Sequence, residues 1–342
     1  MTNTHPRRPH LTSVTRISDL EQSPYEVRKR QRDDWATGDY VLGEVLSEWH
    51  PQGHLELANG REMSPSSGDL VLGTFGSRAA TLEAVGDWRD IGDDEIMESM
   101  TAAGLFGRIT SKSHFLGPVV RLRYLGHACR NGQKLTMRSF VQSVPPDVRF
   151  DAPVILIIGT SMSSGKTMSA RVLVRLLTRA GKRVVGAKLT GAGRLRDTLA
   201  MKDAGAAETF DFVDCGLPST VCSAETYGAS LEILLGRIAE AKPDILVAEA
   251  GASPLEPYNG DAAIQRIRPH VKFTVLCASD PYAVVGVTKG FGFQPDLVSG
   301  VATSTTAGCR VVETLSGVKA LNIQDAATLT ELEELLHRHE LM

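Results

Sequence analysis

Residues 153–167 read Pro-Val-Ile-Leu-Ile-Ile-Gly-Thr-Ser-Met-Ser-Ser-Gly-Lys-Thr, and they are the most informative segment of the chain. An apolar run ends at Gly159, and small residues then lead to Gly165. Because Met162 is the one bulky side chain between these two glycines, the backbone N–H groups of the loop can curl around phosphate oxygens. The stretch therefore predicts a phosphate-binding loop between a buried strand and a helix.

Two residues at the end of the loop carry polar groups suited to a nucleotide tail. Lys166 supplies a positive charge for the phosphates, and Thr167 offers a hydroxyl to a magnesium ion. A helix that begins at Lys166 or Thr167 adds the positive end of its dipole to the same site. The predicted nucleotide-binding residues are Gly159, Thr160, Ser161, Met162, Ser163, Ser164, Gly165, Lys166, Thr167 and Met168.

The spacing of this loop differs from the usual pattern by one residue. Five residues separate Gly159 from Gly165, so that Thr160 takes the position of the usual first glycine. A chance Gly-Lys-Thr ending in an unrelated loop is the alternative interpretation. The order of strand, loop and helix favours the phosphate-binding one.

After residue 153, apolar runs alternate with helical patterns. The runs are 154–158, 184–187, 245–248, 273–278, 297–302 and 318–321, and the helical patterns include 170–180 and 231–241. Strands that are apolar on both faces indicate an α/β fold, a mostly parallel sheet covered by helices on both faces. Ligands bind at the carboxyl ends of such strands. Gly159, Lys188 and Glu249 fall at predicted strand ends, so we expect them to converge.

The chain before residue 153 shows a different pattern. Short strands are predicted at 40–45, 55–57, 70–73, 79–85, 117–125 and 134–141, with one helix at about 93–103 and a turn at Asn131-Gly132. Prolines at 145, 146 and 153 mark a linker. We predict a mobile N-terminal arm over 1–35, a small mostly β, barrel-like domain over 36–143, a linker over 144–152 and a P-loop nucleotide-binding α/β domain over 153–342.

Four segments in family order resemble dethiobiotin synthetase and its relatives, the cobyrinate amidating synthetases. They are the phosphate loop 159–167 with its extra residue, 183–191 ending in Lys-Leu-Thr-Gly, 197–201 with its aspartate, and 245–252 with its Glu-Ala-Gly-Ala ending. The resemblance covers about residues 153–322, roughly half of the chain, and leaves the N-terminal part of about 140 residues without a counterpart. At 298–303 the chain offers Thr303 where the family often has a base-reading asparagine.

This resemblance implies a set of site residues and ligands. Lys166 and Lys188 are the expected catalytic residues, and Thr167, Asp197 and Glu249 are the expected magnesium ligands. The implied cofactors are ATP or GTP with Mg²⁺. The implied partners are a small carboxylate or amine acceptor and a second copy of the chain, because family members often complete the acceptor pocket across a two-fold interface.

Two of these residues have alternative interpretations, and Glu249 does not. Asp197 is a favoured N-cap type and would cap a helix that begins at Thr198, in which case Asp203 is the fallback metal ligand. For Lys188 the alternative to a catalytic role is a structural salt bridge. Glu249 follows four apolar strand residues, so its carboxylate should be nearly buried and should need a partner or a metal.

Bulk properties exclude several classes of function. The formal net charge of −3 gives no long-range attraction to nucleic acid, and no run of 18 apolar residues is available to cross a membrane. The polar N-terminus lacks the apolar centre of a secretory signal, so we expect a cytoplasmic protein. The 5 cysteines include no Cys-x-x-Cys pair to indicate zinc or a redox dithiol.

We therefore expect a Mg²⁺-dependent, ATP-binding ligase or kinase that activates a small carboxylate or carbamate by phosphorylation. Two alternatives stay open at this point. One is a nucleotide switch that resembles the molybdopterin-guanine dinucleotide accessory proteins and acts on a protein partner. The other is an acyltransferase built on a variant P-loop fold, which would use an acyl-CoA and consume no ATP.

Overall fold

The computed structural model describes residues 8–47, 53–251 and 253–342. The chain divides into two compact units. The first comprises Met1–Ser143, Ala192–Arg196 and Phe212–Ser223, and the second comprises Val144–Gly191, Asp197–Asp211 and Ala224–Met342. The predicted linker, residues 144–152, forms neither helix nor strand and is grouped with the second unit. Within the described ranges, no helix is both long enough and apolar enough to cross a membrane.

The first unit consists mainly of short strands. In chain order they are β1 (His10–Leu11), β2 (Glu26–Arg28), β3 (Tyr40–Val45), β4 (Leu55–Glu56), β5 (Glu62–Met63), β6 (Leu70–Phe75), β7 (Ser77–Ala79), β8 (Ala84–Asp87), β9 (Ile96–Thr101), β10 (Leu105–Lys112), β11 (Arg121–Arg130) and β12 (Gln133–Lys134).

Five of these strands close into a ring, as a barrel requires. The order β6-β3-β11-β9-β10 is continuous, and β10 pairs back with β6. Side chains inside the ring form an apolar cluster that includes Val41, Phe75, Met97, Phe106 and Leu122. The predicted small, mostly β, barrel-like region is therefore confirmed. Closure of the ring leaves these central strands without a free edge.

The structure corrects several predicted elements of this unit. The helix predicted at about 93–103 is instead strand β9, because pairing with β10 and β11 on its two sides satisfies the backbone. The single strand predicted at 79–85 is the hairpin of β7 and β8. The strand predicted at 134–141 ends at Lys134, and a 3₁₀ helix follows at Met137–Phe140.

Two further predictions for the first unit can be compared with the structure. Asn131 and Gly132 have φ angles of 52° and 78°, as the predicted turn between β11 and β12 requires. Of the predicted mobile arm 1–35, residues 1–7 lie outside the described residues. The rest of it includes β1, which pairs with β6, and β2, which pairs with β11, so this part of the arm belongs to the sheet.

The second unit alternates strands and helices. Its strands are β13 (Val154–Gly159), β14 (Val184–Thr190), β15 (Glu208–Asp211), β16 (Ile245–Ala250), β17 (Val271–Cys277) and β18 (Leu297–Ser299). The helices are α1 (Lys166–Arg179), α2 (Leu195–Asp203), α3 (Ala224–Glu240), α4 (Gly260–Ile267), α5 (Pro281–Phe291), α6 (Thr306–Ser316) and α7 (Leu329–Arg338). Helix α2 begins with two residues that are grouped with the first unit.

All strand pairs of this sheet are parallel, in the order β15-β14-β16-β13-β17-β18. Ile155 and Ile157 pack on one face with residues of α1 and α7, and the alternate residues Leu156 and Ile158 are buried on the other. The predicted α/β fold with a parallel sheet between helices is therefore confirmed. The apolar run predicted at 318–321 contributes only a bridge between Val298 and Ala320.

Candidate functional site

The predicted phosphate loop lies between β13 and α1. Strand β13 ends at Gly159 and helix α1 begins at Lys166, as the sequence predicts. The turn into the helix places Ser163 at φ 56° and Gly165 at φ 106°. The Lys166 side chain folds back over the loop, and its Nζ donates a hydrogen bond to the Ser161 carbonyl at 2.8 Å. The loop thus holds its lysine where a phosphate chain would compete for the ammonium group.

Thr160 attaches the loop to the neighbouring strand β17. Its backbone N–H donates to the Cys277 carbonyl at 3.0 Å, and its Oγ1 accepts the backbone N–H of Ser279 at 2.9 Å. The hydroxyl groups of Thr160 and Ser279 lie 3.2 Å apart. The residue that replaces the usual first glycine therefore anchors the loop through its side chain.

Gly300 packs directly behind the loop. A Cβ atom on Gly300 would lie 2.1 Å from the Ser164 carbonyl oxygen, and the φ angle of Gly300 is 91°. The Ser164 carbonyl also accepts the backbone N–H of Val301 at 3.2 Å. Any side chain at position 300 would displace the loop, because the contacting atom is rigid backbone.

The parallel register brings the distant site residues together. Glu249 of β16 is opposite Ile157 of β13 and Lys188 of β14. The Thr167 hydroxyl at the start of α1 lies 3.4 Å from Glu249 Oε2. Lys188 Nζ donates to Asp197 Oδ2 at 2.5 Å. Four of the predicted residues thus converge around the end of β13, at the edge where ligands of parallel sheets bind.

The alternatives for Asp197 and Lys188 can be compared with this geometry. Helix α2 begins at Leu195, so Asp197 lies in its first turn and is not the N-cap of a helix starting at Thr198. The salt bridge considered for Lys188 is present, and Asp197 is its partner. Asp203 is the last residue of α2, about 9 Å along the helix axis from Asp197, which makes it a poor substitute ligand.

Burial and charge shift the pKa values at this edge of the sheet. Glu249 is 3% exposed, and burial raises the pKa of its carboxyl, with a further rise from Asp197 that Lys166, Lys188 and the Thr167 hydroxyl only partly offset. Burial lowers the pKa of Lys188, but the carboxylates of Asp197, Glu249 and Asp211 outweigh that effect and raise it above its ordinary value. The neighbouring acids therefore favour the cationic form of Lys188, whereas burial disfavours the ionised form of Glu249.

Asp211 is a site neighbour that sequence reasoning missed. It ends β15, is fully buried and lies opposite Lys188 in the register. Lys188 therefore has Asp211 opposite it on one neighbouring strand and Glu249 opposite it on the other. In the sequence, Asp211 ends the run Glu-Thr-Phe-Asp at 208–211. This run is too short to be predicted as a strand.

The donor set suits a magnesium ion that is completed by phosphate oxygens. The described ranges contain no group of three or more His, Cys, Asp and Glu residues that could hold a metal by themselves. Thr167 and Glu249 nevertheless offer two hard oxygen donors close together beside the phosphate loop. Mg²⁺ commonly takes one or two protein oxygens, with phosphate oxygens and water as its other ligands. Asp197, whose Oδ2 accepts from Lys188, would join them directly or through water.

Other sequence candidates have structural roles or lie apart. Thr303 is fully buried, and its hydroxyl lies 3.0 Å from both the Gly300 and the Leu321 carbonyl oxygens, so it is not presented to a base. Asp280 caps α5 by accepting the backbone N–H groups of Tyr282 and Ala283. Met168 is 41% exposed on α1. Ala252, the last residue of the resemblance segment 245–252, lies outside the described residues.

No protein-family model matches the chain, and no curated protein matches it by sequence. The signal recognition particle 54 kDa protein from Aeropyrum pernix in complex with GDP matches 58% of this chain and 50% of its own, at 19% identity and a TM-score of 0.33. A DUF1611 family protein from Anabaena variabilis matches 61% of this chain and 66% of its own, at 15% identity and a TM-score of 0.36. HypB from Helicobacter pylori in complex with nickel matches 56% of this chain and 88% of its own, at 16% identity and a TM-score of 0.36.

This chain thus spans less than two thirds of the first two of these structures. At these identities and TM-scores, the likenesses do not assign it to a family. The parallel sheet, the loop between β13 and α1 and the placement of Lys166 and Thr167 show the P-loop NTPase fold on their own. The second unit of this protein has that fold.

Proposed function

We propose that this protein is a Mg²⁺-dependent P-loop enzyme that binds a nucleoside triphosphate and transfers its γ-phosphoryl group. One observation carries the proposal. Lys166, Thr167, Lys188 and Glu249 come from three separate elements and meet around the carboxyl end of β13. The buried lysines and carboxylates at this sheet edge pair with one another, and a phosphate chain with its metal ion would match both kinds of charge.

The chemistry of phosphoryl transfer fits these groups. The reaction depends on neutralising the charge of the transferred group and on placing the acceptor, more than on covalent help from the protein. Lys166 would leave the Ser161 carbonyl to contact the phosphates. Thr167 and Glu249 would hold Mg²⁺, which supplies charge neutralisation when bound. The backbone N–H groups of the loop would bind the remaining phosphate oxygens.

Lys188 supports the finer proposal of a ligase or kinase that activates a small carboxylate or carbamate. It is a second cation at the same edge, and its pKa is raised by neighbouring acids, so it stays charged at neutral pH. Such a lysine can hold an anionic acceptor against a γ-phosphate that would otherwise repel it. This follows the dethiobiotin synthetase-like pattern, from which we also infer ATP as the nucleotide and a homodimer.

Phosphate release from ATP and from GTP, measured with Mg²⁺ and with small carboxylate and amine acceptors, tests this proposal. Lys166→Ala should abolish turnover and leave the circular dichroism spectrum unchanged. Lys272→Ala is the matched control, because Lys272 is an exposed lysine near the opposite, amino-terminal end of β17. Turnover that survives in Lys166→Ala would contradict the assignment of the site.

A nucleotide switch is the second candidate, and the division of the chain favours it. Residues Ala192–Arg196 follow the β14 segment that bears Lys188, and they are grouped with the first unit. A switch would respond to a protein partner of that unit, whereas a ligase would respond to a small acceptor. Phosphate release stimulated by cell protein and by no small acceptor would favour the switch. Acyl transfer from an acyl-CoA without nucleotide consumption would favour the acyltransferase alternative.

A further inference from the structure

Glu56 is a fully buried carboxylate that the chemistry proposed above does not use. It belongs to β4 in the first unit, and Ser13 donates its hydroxyl to Glu56 Oε2 at 2.5 Å. The backbone N–H of Leu195 donates to Oε2 and that of Arg196 to Oε1, both at 2.8 Å. A buried carboxylate needs such donors, and here two of them are the first N–H groups of helix α2.

The segment before α2 is held within the first unit by further contacts. Gly193 donates its backbone N–H to the Pro218 carbonyl at 3.0 Å, and Ala192 forms a β-bridge with Ser219. Arg194 Nη2 lies 3.4 Å from Glu62 Oε1. Each of residues 192–196 thus contacts another residue of the first unit. The two hydrogen bonds to Glu56 are buried and charge-assisted.

Helix α2 connects these contacts to the candidate site. Asp197 is its third residue, directly after the two residues whose N–H groups bind Glu56. The negative carboxylate at the helix N-terminus also interacts favourably with the helix dipole. Because consecutive helical residues are rigidly related, a shift of the first turn moves Asp197 by a similar distance. Asp197 in turn makes the 2.5 Å contact with Lys188 Nζ.

We propose that Glu56 is a positioning residue that sets the start of α2 and acts through Asp197 on Lys188. In this arrangement the hydrogen bonds of Glu56 to Leu195 and Arg196 determine how firmly Asp197 holds Lys188. A ligand or partner that alters the Glu56 contacts would therefore change where the Lys188 ammonium group is held. The consequence for turnover rests on the proposed function, whereas the effect on Lys188 itself does not.

The test uses Glu56→Gln, which keeps the side-chain size and removes the charge and one acceptor. Glu62→Gln is a matched control, because Glu62 lies opposite Glu56 in the β4–β5 pair but contacts Arg194 from an exposed position. The first measurement is hydrogen exchange of the α2 amides. The second is the acetylation rate of Lys188, followed by mass spectrometry in the full-length protein without nucleotide.

We expect Glu56→Gln to speed Lys188 acetylation by about tenfold, since a lost charge-assisted hydrogen bond is worth about 1.4 kcal/mol or more. Exchange of the Leu195–Asp203 amides should accelerate as well. Glu62→Gln should change neither the acetylation rate of Lys188 nor the exchange of these amides. In an Asp197→Asn background, Glu56→Gln should change Lys188 acetylation by less than about twofold, because the two residues act in series. Acetylation of the exposed Lys272 should be the same in all variants.

The proposal would be overturned if Glu56→Gln changed Lys188 acetylation equally in the wild-type and Asp197→Asn backgrounds. It would also be overturned if Glu56→Gln left the acetylation rate of Lys188 unchanged. If Glu56→Gln fails to fold, Ser13→Ala removes one donor to the same carboxylate, and a smaller change in the same direction is expected from it. Steady-state phosphate release adds the functional readout, with an expected loss of about tenfold in kcat/KM. If the wild-type protein binds no nucleotide, the proposed function fails, and the labelling result still decides the role of Glu56.

Discussion

Replacing Glu249 by glutamine should stabilise the protein while it impairs the site. The wild-type carboxylate is 3% exposed, and its one described hydrogen-bond donor, the Thr167 hydroxyl, is 3.4 Å away. Burial raises the pKa of Glu249 even with Lys166 and Lys188 nearby. The ionised form is therefore less favourable in the folded protein than in the unfolded chain. Removing this charge should increase the free energy of unfolding at neutral pH by about 1 kcal/mol, or about 1–2 °C in Tm for a chain of 342 residues.

The pH dependence of this gain has a definite sign. A carboxyl whose pKa is raised on folding binds its proton more tightly in the native state, so wild-type stability falls as pH rises through the ordinary value of 4.5. The Glu249→Gln variant has no such carboxyl, so its stability does not fall in this way as pH rises. The difference in Tm should therefore be largest near neutral pH and should vanish below about pH 4, where the carboxyl is protonated in both states.

Thermal unfolding followed by circular dichroism between pH 4 and 8, at about one-unit steps, measures this difference. The same preparations should show a weaker dependence of nucleotide binding on Mg²⁺ in the variant, because one hard oxygen ligand is lost. Glu208→Gln is a suitable control, since its carboxylate is 45% exposed in a surface pair with Arg183. A lower Tm for Glu249→Gln than for the wild-type protein at pH 7 would show that the buried carboxylate is not destabilising.

Three further substitutions test the phosphate loop. Gly300→Ala should lower stability by several kcal/mol and abolish nucleotide binding, because the new Cβ would lie 2.1 Å from the Ser164 carbonyl; a wild-type Tm in that variant would contradict the packing described. Thr160→Val should weaken nucleotide affinity about fivefold through the lost hydroxyl contacts with Ser279, as titration calorimetry would show, and Thr160→Ser should restore most of it. Lys166→Met should remove detectable affinity for Mg²⁺–ATP with an unchanged Tm, and tight binding by that variant would argue against a phosphate contact.

The phosphate loop could be predicted because its signals are local. The apolar run that ends at Gly159, the small residues after it and the helix from Lys166 are contiguous in sequence, and each follows from backbone geometry or burial. The convergence of Lys188 and Glu249 could also be predicted, since the carboxyl ends of neighbouring parallel strands meet at one edge.

What the sequence did not reveal depends on contacts between distant residues. In the stretch 93–103, Met97 and Met100 have a spacing that also suits a helix, and only pairing with β10 and β11 makes the segment a strand. The hydrogen bonds of Glu56 to α2 join residues about 140 positions apart, so no local pattern announces them. The grouping of Ala192–Arg196 with the first unit has the same origin.

The claim on which the other proposals depend can be tested by titration calorimetry of the wild-type protein with ATP and with GTP in the presence of Mg²⁺. The claim is that the loop between β13 and α1 binds a triphosphate whose magnesium ion is held by Thr167 and Glu249. We predict saturable binding of at least one of the two nucleotides at one site per chain, weakened when Mg²⁺ is removed. The absence of heat with both nucleotides, in protein that unfolds cooperatively, would contradict it.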